Sequence, residues 1–309
     1  MSESNVTLST AVETETPRES GPPDRPLLGI LLMLFSVALL PIMDGIAKAM
    51  SETFFVAQLV FARFFFQSAV IVPIAVWRDG VSMRHLCHMP LQIARGLCIL
   101  SATGLFFTAI VTMPIADALA LLFVAPLIVT ALSPFVLAEP VGVRRWSAVI
   151  VGFIGALVIL RPGLGVLQPG ALLALGAGLC FAIYVLLTRK LSHAAPPLVT
   201  LSITSLIGVA VTAVIMPFVW VTPNADQLVM FIAMGVVGAV GHYLMIRAYE
   251  QAPASLLAPF GYGEIVMAVV IGYFWFGDFP DLPTWVGIGI LAASGIYISL
   301  REGKKRGKI

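Results

Sequence analysis

A single carboxylate interrupts a long apolar stretch of the chain. Glu264 lies within LAPFGYGEIVMAVV, residues 257–270, and the sequence has no other acidic or basic side chain between Gln251 and Gly277. In apolar surroundings a charged carboxylate is costly, so it tends to bind a proton or a cationic group. Gly261 shares a helical stripe with Glu264 and lets a small molecule approach the acid. We expect Glu264 to bind a proton or substrate cation; the alternative is a structural acid paired with a neighbouring helix.

Three further charges, Asp44, Lys48 and Arg63, also fall within apolar runs. Asp44 and Lys48 are four residues apart, so they share one helical face and can pair. Together with Arg63 they could hold an anionic group of a ligand or form a gate that breaks and reforms. A fixed salt-bridge network is the alternative, and from the residues both interpretations stay open.

Histidine and aromatic side chains add two other kinds of chemistry. His242 could transfer protons, since the unperturbed pKa of histidine is near 6.5; the alternative is a histidine hydrogen-bonded between helices. Aromatic rings in the same runs could stack on a planar ligand, although most aromatic residues in a helical bundle simply pack. These rings are Phe106, Phe107, Phe123, Tyr184, Tyr243, Phe260 and Tyr262.

Composition identifies the surroundings of these residues as a membrane. Of 309 residues, 59% are hydrophobic and 11% charged, whereas a soluble domain has about 25% charged residues. Continuous apolar runs long enough to cross about 30 Å of hydrocarbon recur along the chain, and they do not alternate as barrel strands do. The sequence predicts an all-α membrane protein with ten transmembrane helices, near 27–49, 54–77, 92–113, 115–136, 145–161, 170–188, 198–219, 228–248, 254–276 and 284–300.

Lysine and arginine predict the orientation of these spans. If both termini are cytoplasmic, Lys48 and Arg161 lie outside and Arg63 lies within a span. The other fifteen of the 18 cations, Arg95 among them, then lie on the cytoplasmic side. We expect a multi-pass protein of the bacterial inner (cytoplasmic) membrane with both termini in the cytoplasm.

The chain also repeats itself. Trp146 and Trp285 align at a shift of 139 residues, and hydropathy and turn spacing follow the same shift. Each half has five spans, an odd number, so the second half enters the membrane inverted, as in many secondary transporters. The predicted organisation is a disordered cytoplasmic tail at 1–25, one five-helix repeat at 26–162, a second at 163–301 and a basic cytoplasmic tail at 302–309.

Motifs of other function classes are missing from the sequence. It contains no glycine-rich phosphate loop, no Gly-x-Ser-x-Gly and no His-Glu-x-x-His, and the three candidate ligands of HLCH at 85–88 are too few for a zinc site. We expect no catalytic residue, cofactor or metal. The expected partners are a small-molecule substrate, membrane lipid at the basic tail and a second copy of the chain, with no nucleic acid. The small-residue ridge Ala148, Gly152 and Ala156 suits close helix packing within or between protomers.

Three segments resemble a known family. LPIMDGIAKAM at 40–50, the run ALLFVAP to ILRPG at 120–163 and the run SLLAPFG to DLPTW at 255–285 are similar to the drug/metabolite transporter superfamily with two EamA-type domains. The resemblance covers nearly all of 27–300, and APFGYGE followed by GDFPD resembles a bacterial subgroup of riboflavin and S-adenosylmethionine uptake proteins. It implies a central cavity lined by the first four spans of each half. One departure is Gly277–Asp278, where family members often have Gly-Glu.

These observations together predict a secondary active transporter that moves a small organic metabolite by alternating access. The narrower alternatives are a riboflavin or S-adenosylmethionine uptake carrier and an exporter of amino acids or drugs. A passive channel and an integral-membrane enzyme are the remaining alternatives. The substrate or coupling candidates are Glu264, Arg63, Asp44, Lys48, His242, Tyr262, Phe260, Phe106 and Phe107.

The orientation can be tested with reporter fusions. Reporters placed after Arg145 and at the C-terminus should behave as cytoplasmic, and those after Gly163 and Asp226 as periplasmic, because each half crosses the membrane five times. A reporter active in the periplasm at the C-terminus would overturn both the span count and the inverted repeat.

Overall fold

The structure is a computed structural model, and all regular structure in its described residues is helical. An all-helical fold is therefore confirmed. The HLCH motif, nearly all of the predicted N-terminal tail and residues 258–259 of the apolar stretch around Glu264 lie outside the described residues. The described ranges are 25–80, 89–136, 141–160, 169–191, 196–252, 257 and 260–306.

Twelve α-helices have described bounds, with a π-helical segment Gly272–Phe276 between the last two. In chain order they are α1 (Pro26–Met50), α2 (Val56–Asp79), α3 (Met89–Thr112), α4 (Ile115–Leu122), α5 (Ala125–Val136), α6 (Val143–Leu160), α7 (Pro169–Lys190), α8 (Pro197–Ala213), α9 (Met216–Val219), α10 (Ala225–Gln251), α11 (Gly263–Ile271) and α12 (Leu282–Arg306).

Six of the helical segments are long and apolar enough to cross a bilayer, and four shorter apolar helices accompany them in the described chain. Each coincides with one of the predicted spans, but the count of ten crossings stays a prediction. The predicted seventh span, for example, divides at Val214–Ile215 into α8 and α9. At the C-terminal end, α12 continues to Arg306, beyond the predicted end of the span at 300.

The helices pair across the middle of the sequence. α1 packs along α10, α3 along α7, α2 along α8, α6 along α12, and α11 contacts α4. Every pair joins a helix from before residue 161 to one from after residue 168. The symmetry appears when each span is exchanged for the span of the same rank in the other half. Under this exchange the α2–α8, α4–α11 and α6–α12 pairs map onto themselves. The same exchange turns the α1–α10 pair into the α7–α3 pair, so the contacts have the symmetry expected of two related halves.

Glycines allow these pairs to approach closely, as in other membrane bundles. A Cβ atom added to Gly287 of α12 would lie 2.7 Å from the carbonyl oxygen of Gly155 of α6. A Cβ atom added to Gly235 of α10 would overlap the Phe66 side chain and lie 3.0 Å from the Gln67 amide nitrogen of α2. Because backbone atoms cannot yield, these glycines fix the spacing of the helices.

The small-residue ridge on α6 packs inside the chain. Ala148 and Ala156 are 8% and 4% exposed, and a Cβ atom added to Gly152 would lie 2.9 Å from Leu127 Cδ2 of α5. The ridge therefore serves packing within one protomer, which was one of its two predicted uses. It offers no support for a homodimer.

Two helix breaks occur at matching positions in the two halves. α4 ends at Phe123 (φ −68°, ψ 4°), and α11 begins after Tyr262 (φ −66°, ψ −12°). Near each break a backbone amide bonds three residues back: Val124 N to Leu121 O at 3.2 Å, and Ile265 N to Tyr262 O at 3.1 Å. Such short-range bonds replace the regular helical hydrogen bonds at each break.

Close packing at Gly235 predicts a stability difference between two glycine substitutions. Gly235→Ala should lower stability by about 1–3 kcal/mol, because the added methyl group meets the α2 backbone. Gly289→Ala is the matched control, since no atom lies within 4 Å of a Cβ atom placed there. Thermal unfolding in detergent should show a lower Tm for the first variant only; equal Tm values for both would contradict the close α2–α10 contact.

Candidate functional site

Arg63 lies buried in the middle of the bundle. It belongs to α2, is 6% exposed, and its Nη1 donates a hydrogen bond to Thr103 Oγ1 of α3 at 2.7 Å. Its guanidinium carbon lies 5.7 Å from the ring centroid of Phe107, within the range of a cation–π contact. In the described part of the chain, no acceptor reaches its Nε. Arg63 can therefore donate to one more acceptor than the protein supplies here.

Two carboxylates and a phenol interact with this guanidinium from other helices. Asp44 of α1 is 4% exposed, whereas Glu264, in the first turn of α11, is half-buried. Both, together with the Tyr184 phenol of α7, interact electrostatically with Arg63, and Asp44 interacts with Glu264. α1 and α2 precede the middle of the sequence, and α7 and α11 follow it. Three predicted site residues from the two halves thus interact electrostatically.

Lys48 belongs to a different cluster from the one expected. Its Nζ forms an ion pair with Asp278 Oδ2 at 2.8 Å and donates to Met113 O at 3.1 Å. It also lies 4.9 Å from the Phe276 ring centroid. The predicted pairing of Lys48 with Asp44 is therefore corrected. The long lysine side chain reaches from the end of α1 to the segment after Gly277, whose left-handed φ of 71° turns the chain there.

His242 lies on α10, beside the central cluster. Its Nδ1 is 2.9 Å from the carbonyl oxygen of Gly238, one turn earlier on the same helix, and its imidazole interacts electrostatically with Arg63. The half-buried ring thus has a hydrogen-bond partner on its own helix rather than across helices. The arrangement leaves its predicted role in proton transfer open to test.

The two helix breaks meet through their aromatic side chains. The rings of Phe123 and Tyr262 lie 5.0 Å apart, tilted by 33°, and the two residues are 139 positions apart, the shift that aligns Trp146 with Trp285. Glu264 follows one of these breaks directly, in the first turn of α11, where the helix dipole favours a negative charge. The breaks thus bring the two rings into contact between the halves, and Glu264 follows two residues after one of them.

The other aromatic candidates contribute packing. Phe106 and Phe107 of α3 are 5% and 1% exposed and belong to the main apolar core. Phe260 packs against a separate apolar cluster that contains Met33 of α1 and Ala248 of α10. Of these three, Phe107 reaches the charged cluster, through its contact with Arg63.

Several polar contacts of the site were not predicted from the sequence. Thr103 holds Arg63, Asp278 pairs with Lys48, and Gln67 Nε2 of α2 donates to Ser205 Oγ of α8 at 2.9 Å. Each is a polar side chain close to or within an apolar run, which is the signal that could have identified them. Their partners lie 40 to 230 residues away, a distance that no local pattern encodes.

Two of the three charges of the central cluster are enclosed in this conformation, and Glu264 is half-buried. Asp44 and Arg63 are almost fully buried, and two grooves on the described surface lie elsewhere. One of about 530 Å³ runs between α6 and α12 and includes Ser147 and Tyr297. The other, of about 240 Å³, is lined by residues of α2, α8 and α10, including Ile71 and Tyr243. A ligand can therefore reach Asp44 and Arg63 only if the helices move apart.

Charges enclosed between two paired halves of an apolar helical bundle are typical of membrane transport proteins. The chain belongs to the EamA-like transporter family, which matches residues 27–161 and 168–301. It is thus a multi-pass membrane transporter of small molecules and not an enzyme.

Relatives and a solved structure agree with this assignment. The chain is 27% identical over 278 residues to the S-adenosylmethionine uptake transporter of Rickettsia prowazekii, covering 90% of this chain and 94% of that one. It is 34% identical over 195 residues to the riboflavin transporter of Vibrio cholerae, covering 62% and 65%. A crystal structure with 17% sequence identity and a TM-score of 0.63 covers 89% of this chain and 96% of its own, which shows a shared fold.

A charge swap separates a structural role of Arg63 from a role in solute binding. Asp44→Arg and Arg63→Asp should each lower stability by about 3–5 kcal/mol, because each leaves buried charges uncompensated. The double variant should recover part of the lost Tm but stay inactive in solute uptake, since the guanidinium no longer lies beside Thr103 and Phe107. Uptake near the wild-type rate in the double variant would reject solute contact by Arg63.

Proposed function

We propose that this protein is a secondary active transporter that moves a small organic metabolite across the bacterial inner membrane by alternating access of two inverted five-helix repeats. The observation that carries the proposal is the buried cluster of Arg63, Asp44 and Glu264, to which both halves contribute. Charged side chains in the interior of membrane proteins are rare and mark substrate or ion pathways.

The helix contacts support the inverted repeat. Each of the five helix pairs described above maps onto itself or onto another of the five when the halves are exchanged, as expected for halves related by a two-fold axis. With five spans in each half, that axis lies in the membrane plane. The repeat boundaries 26–162 and 163–301 and the ten crossings follow from the same symmetry. Both termini are then cytoplasmic, and the basic C-terminal tail contacts anionic lipid.

The paired breaks at Phe123 and Tyr262 support a binding site between the repeats. Interrupted helices at corresponding positions of the two halves are the feature that best locates a substrate site in secondary transporters. Here the breaks face each other through their rings and lie beside Glu264. We assign the solute to this place, with Tyr262 contacting a planar group and Glu264 a cationic group.

The cluster has two carboxylates and one guanidinium, so one further proton or cation is needed to balance its charge. Arg63 can neutralise one of the carboxylates of Asp44 and Glu264, and the other must bind a proton or a cation when the site is closed, because an uncompensated charge is costly in a membrane interior. Asp44 is the more buried of the two. We therefore assign the exchange of a proton and a solute cation to the half-buried Glu264, with Asp44 and Arg63 as its charged neighbours.

The Lys48–Asp278 ion pair provides an outer gate in this scheme. It joins the end of α1 to the segment between α11 and α12 and, through Met113, to the start of α4. Both side chains are partly exposed, at 15% and 30%, so water can solvate the two charges when they separate. In this scheme the ion pair is intact in the occluded or inward-facing state and broken in the outward-facing state.

The leading substrate class is a cationic metabolite with a planar ring, the chemistry of S-adenosylmethionine. The cation suits Glu264, the ring suits Tyr262, and relatives carry the names of S-adenosylmethionine uptake transporters. Riboflavin is the second candidate, favoured by the aromatic pair and by a relative named for it. Export of amino acids or drugs and assembly as a homodimer are separate proposals that the same purified protein can test.

A binding screen followed by counterflow tests the proposed function. Purified protein should gain thermal stability with S-adenosylmethionine or riboflavin but not with unrelated amino acids or nucleosides, because a ligand that binds the folded state raises its Tm. Proteoliposomes preloaded with that ligand should accumulate the labelled compound. Flux that neither saturates nor shows counterflow would replace the carrier with a passive channel.

Substitution of Glu264 tests the coupling role. Glu264→Gln keeps the shape of the side chain but cannot titrate, so net transport should fall at least about tenfold, more than 1.4 kcal/mol of activation free energy. The pH dependence of transport should also become flatter. Glu52→Gln is the matched control, because Glu52 is an exposed carboxylate between α1 and α2. A Glu264→Gln protein with the wild-type rate and pH profile would make Glu264 a structural acid.

A further inference from the structure

A second buried arginine lies away from the central cluster. Arg95 occupies the second turn of α3 and is 1% exposed, although the sequence placed it among the cytoplasmic cations. Its Nη2 donates to the Thr200 carbonyl oxygen at 2.8 Å and to Thr204 Oγ1 at 2.9 Å, both on α8. The side chain therefore points into the bundle, between α3 and α8, rather than towards water or lipid headgroups.

The charge of Arg95 lacks the compensation that Arg63 has. In the described residues, the titratable group that interacts electrostatically with Arg95 is the Tyr184 phenol, which is neutral at physiological pH. Arg63, in contrast, has two carboxylates. A buried cation without an anionic partner is destabilising, so its presence in a membrane bundle indicates a partner that comes and goes.

Gln92 strengthens this interpretation. It precedes Arg95 by three residues, so the two side chains lie on the same face of α3, and Gln92 is 0% exposed. Neither Gln92 Nε2, Gln92 Oε1 nor Arg95 Nε has a hydrogen-bond partner among the described residues. Buried polar atoms are normally paired, and unpaired ones are costly. Two unpaired donors, Arg95 Nε and Gln92 Nε2, thus accompany an uncompensated positive charge.

Polar side chains connect this place with the central cluster. Further along the buried face of α3, Thr103 accepts the hydrogen bond of Arg63. On α8, Thr204 contacts Arg95, and the next residue, Ser205, accepts a hydrogen bond from Gln67 of α2. Gln67 is one turn along α2 from Arg63. A line of polar groups therefore runs from the central cluster to the end of the bundle where α3 and α8 begin.

We propose that Arg95 and Gln92 form a second solute site, which binds a carboxylate or phosphate group of the transported solute at the end of the bundle where α3 begins. The proposal rests on the proposed function, since the solute must pass along this line of polar groups. A guanidinium presents several donors in a fixed fork suited to the oxygens of either anion. The Gln92 amide adds a neutral donor beside it.

The site can be probed with simple anions, without measuring transport. Wild-type protein in neutral detergent is titrated with acetate or inorganic phosphate against sodium chloride of equal ionic strength. Acetate or phosphate should raise the Tm by roughly 2–4 °C at saturation, because an anion that binds the folded state stabilises it. Arg95→Gln should lose this rise. Arg78→Gln is the matched control and should keep it, because Arg78 is an exposed arginine at the end of α2.

A second variant, Gln92→Leu, distinguishes anion binding from a purely structural role. This test remains possible even if Arg95→Gln does not fold. Leucine removes buried polar atoms that have no partner, so the Tm without anion should rise, while the anion-dependent rise should fall to half or less. A lower Tm without anion, together with an unchanged rise on adding acetate or phosphate, would overturn the proposal. The same rise in wild-type protein and Arg95→Gln would also overturn it, as a general salt effect.

A further experiment in lipid distinguishes an anionic solute from an anionic lipid headgroup as the occupant of the site. In nanodiscs, replacing neutral lipid by phosphatidylglycerol should leave the difference in Tm between wild-type protein and Arg95→Gln unchanged. A difference that grows with phosphatidylglycerol, with no response to acetate or phosphate, would assign the site to lipid and reject the solute. Failure of counterflow with an intact anion response would instead reject the carrier and leave the anion site standing.

Discussion

The cost of enclosing charge in a membrane bundle constrains the rest of this structure. Each charged side chain at the centre of a membrane helix costs about 2.5–3.5 kcal/mol on insertion scales, and Arg63, Asp44 and Glu264 are enclosed together. They are tolerable only because helices from both halves bring them close to one another. The contact of Gly235 of α10 with α2 fixes the spacing of one of those helices, the one that carries Arg63.

The helix breaks and the ion pair at the end of α1 follow from the same constraint. The helices are interrupted at Phe123 and Tyr262, and α11 begins after the second break with Glu264 in its first turn. The Lys48–Asp278 pair joins the end of α1 to the segment after Gly277, while Arg95 and Gln92 keep unpaired donors elsewhere in the described bundle. A bundle built for stability alone would replace these groups with apolar residues, which supports their retention for binding and release of a solute.

Sequence patterns predicted the helices and singled out the charged residues within them, because both depend on local properties; they did not predict that Glu264 interacts with Arg63 and Asp44. A long apolar run predicts a span, and a lone carboxylate such as Glu264 within it predicts a site.

The partner of Lys48 was missed because Asp278 is 230 residues away, and Asp44 was the acid within local reach. Arg95 was assigned to the cytoplasmic surface because it is near a span end; its burial depends on the packing of α3 against α8, which no pattern in α3 reveals. Likewise, the Ala148–Gly152–Ala156 ridge suited close packing, but only the fold identifies α5 as the neighbour of Gly152.

Infrared spectroscopy of the ligand-free protein tests the central claim most directly, that one carboxyl of the cluster holds a proton when no cation is bound. At neutral pH the wild-type protein should show a carboxylic-acid C=O band that shifts in D₂O and is absent from Glu264→Gln, while Glu52→Gln retains it. Addition of a cationic substrate should remove the band from the wild-type protein. A wild-type spectrum without this band, or a band that survives in Glu264→Gln, would contradict the exchange of proton and cation at Glu264.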